Sequence, residues 1–105
     1  MTMTLTSLRI AQKSTYHGGE LWEWSVWLEG TEAELDQVKS VTYVLHPTFQ
    51  RPVRTISTRE NKFRLDAGGW GGFVIHARVL ALDGATQHLQ HELELYYPDG
   101  SATTA

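Results

Sequence analysis

The segment Leu21 to Glu29 alternates with a period of two: Trp22, Trp24, Val26 and Leu28 share one parity, while Glu23, Ser25 and Glu29 take the other. Successive side chains leave opposite faces of a strand, so this run predicts a half-buried β-strand with two indoles on its core face. A helix would scatter the same four residues around its axis. Trp27 falls on the polar side and is expected either under a loop or in solvent.

Further rows repeat the period. Val41, Tyr43 and Leu45 alternate with Thr42, Val44 and His46 until Pro47, which cannot donate to a ladder. Phe73, Ile75, Ala77, Val79 and Ala81 form another inward row, Asp83-Gly84 is a hairpin signal, and Leu89, His91, Leu93, Leu95 and Tyr97 return opposite His88, Gln90, Glu92 and Glu94. Weaker strands are expected at Leu8 to Gln12, Val53 to Ser57 and Lys62 to Leu65, and Asp66-Ala67-Gly68-Gly69 is expected to be a loop. Gly30 closes the first tryptophan strand, and Thr31-Glu32-Ala33-Glu34 has the form of a capping box, which predicts one short helical turn.

About seven short strands with little competing helix predict an all-β fold, an immunoglobulin-like β-sandwich of seven to eight strands. A chain of 105 residues has room for one hydrophobic core. The sandwich is expected over residues 1–99, with a flexible tail at 100–105.

Composition narrows the function classes. The absence of cysteine excludes a disulfide framework, thiolate metal sites and a cysteine nucleophile. No apolar run is long enough to span a bilayer and Met1 to Thr4 lacks the basic flank of a secretory signal, so the expected place is the cytoplasm, away from membranes. Nine basic against twelve acidic residues leave a net charge of −3, a poor match to nucleic acid. The local run Arg51, Arg54, Arg59, Lys62 and Arg64 is read as a solvated loop and strand edge. Among the histidines, His88 and His91 face opposite ways on a strand, and His17 and His76 have no carboxylate at ligand spacing, so no metal and no cofactor is expected. No serine sits in a Gly-x-Ser-x-Gly setting, and Glu92 and Glu94 share an outward face, so no catalytic residues and no enzyme are expected.

What remains unexplained is aromatic residues in turns. Phe49 follows a strand-stopping proline, and Trp70 lies in the glycine-dense run Gly69-Trp70-Gly71-Gly72-Phe73. Such residues either plug the end of the sandwich or line a binding site.

The order of segments carries a resemblance: Trp24-x-Val26-x-Leu28-x-Gly30, then Val41 to Pro52 with His46-Pro47-Thr48-Phe49 at its centre, then Gly69 to Phe73. This resembles the YEATS domain family over Trp24 to about Tyr97, most closely its prokaryotic branch. The resemblance implies a non-catalytic module that binds acylated lysine, of acetyl or crotonyl type, on a peptide or protein. Its implied site residues are His46, Thr48, Phe49, Gly69, Trp70, Gly71 and Phe73. Phe49 and Trp70 would wall a slot around the flat acyl-amide, and Thr48, where the family usually has serine, would hydrogen-bond the amide. His46 would buttress the loop, the Trp70 backbone N–H would donate to the acyl carbonyl, and Phe73 would line the far wall. Gly72 stands where the family often has an acidic residue, and Tyr16 or Leu21 is the available substitute for a pocket-closing aromatic. The alternative function is a protein-interaction domain without acyl-lysine recognition, fused or partnered within a bacterial effector or signalling system.

Overall fold

In the computed structural model, which describes residues 8–101, the chain runs β1 (Arg9–Gly18), β2 (Leu21–Glu29), α1 (Glu32–Asp36), β3 (Val38–Val44), β4 (Val53–Ile56), a 3-10 turn (Glu60–Phe63), β5 (Leu65–Gly69), β6 (Phe73–Ala81) and β7 (Thr86–Leu93). The strands form two antiparallel sheets, β1-β2-β5 and β4-β3-β6-β7, that close on one core as an immunoglobulin-like sandwich. Met1 to Thr4 and the last part of the expected tail, 102–105, lie outside the described residues. Within them, Tyr97 to Ser101 closes a turn, with the Tyr97 N–H donating to the Ser101 carbonyl at 2.8 Å. No helix among the described residues is long and apolar enough to cross a membrane.

The alternating row of β2 sets the packing. Trp22, Trp24, Val26 and Leu28 are all buried and meet Val41, Tyr43, Ile75, Ala77 and Val79 from the other sheet. Each aliphatic side chain removed from water in this way stabilises the fold by roughly 1.5–3 kcal/mol. On the opposite side of β2, Trp27 is half-buried, its indole N–H donating to Glu29 Oε1 at 2.5 Å. β1 is longer than expected, because it pairs with β2 along its whole length, from Arg9 opposite Glu29 to Gly18 opposite Leu21.

Two expectations are corrected between β4 and β6. The strand expected at Lys62 to Leu65 is present only in Leu65, which begins β5: Asn61, Lys62 and Phe63 adopt left-handed backbone angles, and the chain turns to bury Phe63 completely. The turn is fixed from the core side, where the Tyr43 hydroxyl donates to the Phe63 carbonyl at 2.9 Å. Burial pushes that hydroxyl well above the ordinary tyrosine range, so it remains a donor. Asp66 to Gly69 is not a loop, but the body of β5. Ala67 and Gly69 are the residues directly opposite Trp24 and Trp22. Small side chains are poor strand formers alone, yet they fit where a neighbouring strand presents two indoles.

The local signals elsewhere act as read. Thr31 Oγ1 accepts from the Glu34 N–H at 3.1 Å, and Glu34 Oε1 accepts from the Thr31 N–H at 2.8 Å, completing the capping box. Gly84 takes φ 91° in the β6–β7 hairpin, where the Asp83 carboxylate accepts the Ala85 N–H at 2.9 Å. Where β1 meets the end of β7, the Gln12 amide takes the place of a strand. It donates to the Glu94 carbonyl at 2.7 Å and accepts the Glu94 N–H at 3.0 Å, with His91 Nε2 2.7 Å from Gln12 Oε1. Burial holds the His91 imidazole below the usual histidine range.

Candidate binding site

Two connections converge at one end of the sandwich, the β3–β4 loop and the β5–β6 loop. The first is pinched at its base by Leu45 N–H donating to the Pro52 carbonyl at 2.7 Å, and it turns inside on Phe49 N–H donating to the His46 carbonyl at 3.0 Å. His46 Nδ1 accepts the Thr48 N–H at 3.3 Å and lies 3.0 Å from the Thr48 hydroxyl. The imidazole thereby fixes the backbone and side chain of Thr48 together.

The second loop depends on one glycine for its path. A Cβ at Gly72 would lie 2.3 Å from the Leu93 carbonyl oxygen, so any side chain there would force the β6–β7 backbones apart. The acidic residue often found at this place in the resembled family has no room here.

Between the loops lies an open cavity of about 410 Å³, lined by His46, Thr48, Phe49, Gln50, the glycine-rich run 68–72 and Phe73. That volume falls within the range of small-molecule sites. All seven residues expected at the site, His46, Thr48, Phe49, Gly69, Trp70, Gly71 and Phe73, line it. Sequence reasoning missed Gln50, Gly68 and Gly72; nothing in their spacing separates them from ordinary turn residues. No carboxylate is among the described residues that form the wall.

The aromatic side chains play unequal parts. Phe49 is half-buried, tilted against Phe73 with ring centroids 5.6 Å apart and edge-on to Trp24 at 6.2 Å. Phe73 also meets Trp24, at 5.9 Å, and His46, at 6.1 Å. Those rings form one wall continuous with the core. Arg54 covers the outer side of Phe49, its guanidinium carbon 5.8 Å from the ring centroid, and is held by Nε donating to the Arg51 carbonyl at 2.9 Å. Trp70, by contrast, is 68% exposed. It is therefore a rim residue and no core plug, whereas Phe49 does both jobs. The β1–β2 turn brings Tyr16 against Trp22 and Tyr97, at 4.7 and 5.4 Å, and not into the cavity lining.

Three of the five residues of the basic run pair with carboxylates away from the cavity. Arg59 reaches Glu32 and Asp36, Arg64 binds Asp66 at 2.6 Å, and Lys62 lies 3.8 Å from Glu29. These three are thus acid-paired surface groups, while Arg54 lies over Phe49. Asp66 also accepts from the Ser25 hydroxyl at 2.6 Å, and this bond, followed by Arg64, holds its carboxyl below the usual range. His17 does find a carboxylate, Glu23 at 3.2 Å, which the β1–β2 register brings near.

The family model for the prokaryotic YEATS domain matches residues 22–94, well over half of the chain. Transcription initiation factor TFIID subunit 14 of Schizosaccharomyces pombe is 37% identical over 87 residues, 73% of this chain and 35% of that protein. Protein AF-9 homolog of Eremothecium gossypii is 31% identical over 78 residues, 70% of this chain and 36% of that protein. The chain thus spans about a third of the length of these curated relatives. The Yaf9 YEATS domain recognizing H3K122suc peptide superposes with a TM-score of 0.65 at 22% identity, over 91% of this chain and 78% of that one. The Yaf9 YEATS domain bound to H3K27ac gives 0.67 at 22%, over the same shares, a likeness that establishes the sandwich. With the family model matched across both site loops and the sandwich shared, the chain belongs to the prokaryotic YEATS domain family.

Proposed function

We propose that the cavity between the β3–β4 and β5–β6 loops binds an acylated lysine, of acetyl or crotonyl type, on a peptide or protein, and that the module reads this group without transforming it. The observation that carries the reading is a wall of aromatic and glycine residues that contains one fixed hydroxyl and no carboxylate. A lysine ammonium entering such a wall sheds its hydration with no anionic partner, whereas a neutral amide loses far less. The Yaf9 structures, whose ligands are a succinylated and an acetylated H3 site by name, support the same class of ligand.

In this reading the flat acyl-amide lies between the Phe49–Phe73 wall and the Trp70 indole, and Thr48 hydrogen-bonds the amide. The backbone N–H of Trp70 donates to the acyl carbonyl. Stacking contributes about 0.5–1.5 kcal/mol per face and each hydrogen bond about 1 kcal/mol. Affinity is therefore micromolar or weaker, since 1 μM already requires about −8 kcal/mol. The test is a titration of acetylated, crotonylated and unmodified lysine peptides followed by tryptophan fluorescence. Saturable binding of the acylated peptides alone is expected; equal response to the unmodified peptide, or no response to any, rules the slot out.

A further inference from the structure

Pairing β6 with β7 places His76 and His88 side by side on the outer face of the four-stranded sheet, although they are twelve residues apart in sequence. Their rings stack with centroids 5.3 Å apart and planes 25° apart, and Nδ1 of His76 lies 3.3 Å from Nε2 of His88. His88 is exposed and His76 is half-buried. Gln90 sits beside them, its amide nitrogen 3.5 Å from His76 Nδ1. Nothing in the acyl-lysine reading uses this cluster, which lies outside the cavity lining.

We propose that His76 and His88 form a two-imidazole site for a borderline divalent transition-metal ion, of the Zn²⁺ or Ni²⁺ class. The distance is the main argument. Two nitrogens each bonded at about 2.0–2.1 Å to one tetrahedral ion lie roughly 3.3–3.4 Å apart, which is the separation the strand pairing already supplies. Without an ion, one ring nitrogen donates its N–H toward the other, and a cation that binds both takes the place of that proton. The ring torsions of histidine are broad, so rotation about them turns the two rings out of their stack and aims both lone pairs at a shared point. Turning the Gln90 amide over presents Oε1 as a third ligand, and water completes the shell.

Imidazole pairs suit zinc, nickel and copper and do not suit magnesium or calcium, which take oxygen ligands. Arg78, the register partner of His88, adds a positive charge nearby. The site is accordingly a weak one, filled at micromolar and higher free metal.

Calorimetric titration of the intact chain with Zn²⁺, in a buffer that does not bind metal, tests the proposal, with His76→Gln, His88→Gln and the control His17→Gln. His17 and His88 are exposed and His76 is half-buried on the outer face of the sheet, and circular dichroism should report an unchanged fold for each variant. One saturable site is expected, weakened at least about tenfold by either His76→Gln or His88→Gln because chelation by linked groups is lost, and unchanged by His17→Gln. Absence of saturable binding, affinity unmoved by either substitution, or loss in only one of the two would each overturn the shared site.

Discussion

Replacing Trp70 and Phe49 by alanine separates the rim of the slot from its core-anchored wall. Trp70 is 68% exposed, so Trp70→Ala should change folding stability by no more than about 0.5 kcal/mol, as for other surface substitutions. If its indole covers one face of the bound amide, the same change removes about 0.5–1.5 kcal/mol of binding, or roughly a 2- to 13-fold weaker Kd. Phe49 contacts both Trp24 and Phe73 and is half-buried. A fully buried Phe→Ala change costs about 3–5 kcal/mol, so half of that, about 2 kcal/mol, is expected here. In a domain of this size that lowers Tm by roughly 8–16 °C. Urea denaturation of the two variants, beside acetyl-lysine peptide titration, reads both quantities. A Trp70→Ala variant that loses more than about 1 kcal/mol of stability, or binds the peptide as well as the parent, would refute the division of roles.

Three other changes probe the supports. Gly72→Ala puts a Cβ into the Leu93 carbonyl oxygen, a backbone atom with no flexible end to yield, and should cost about 1–3 kcal/mol in urea denaturation. Gln12→Ala removes the partner of the Glu94 N–H and carbonyl at an exposed position that water can reach, and should cost about 0.5–1.5 kcal/mol, seen as a lower melting midpoint. The Ser25 hydrogen bond, followed by Arg64, holds the Asp66 carboxyl below the ordinary aspartate range in the folded chain, so its contribution is present above that range and is lost as pH falls through the lower folded value. Ser25→Ala removes the hydrogen bond that is the largest cause of that depression, and should flatten the fall of stability on the acid side of the ordinary aspartate range; an acid limb identical to the parent's would contradict the assignment.

What could be read in the chain, and what could not, follows the range of each signal. The β2 and β6 rows, the capping box at Thr31 and the turn at Gly84 are written within a few neighbouring residues, and all four form as read. β5 was illegible because its Ala67 and Gly69 suit a strand only opposite Trp24 and Trp22, a pairing made across about forty residues. The 3-10 turn hid for a related reason: Phe63 and Leu65 are both buried, as alternation predicts, but the left-handed residues 61–63 are held by Tyr43 from the other sheet. At the site, the residues that line the cavity came through family resemblance, while the contrast between an exposed Trp70 and a packed Phe49 depends on Trp24, which local sequence presents only as a core residue. The His76–His88 pair escaped because sequence spacing compares neighbours on one strand, whereas this pair is made by two.

The Gln12 bridge has a consequence beyond stability. A strand at the margin of a sheet offers unpaired peptide groups on which another molecule can build, and proteins that remain monomeric must blunt them. Just past the end of β7, the N–H and carbonyl of Glu94 are occupied by a single side-chain amide that imitates a neighbouring peptide unit. Gln12 thus occupies, at this one residue, the peptide groups that an added strand would need there.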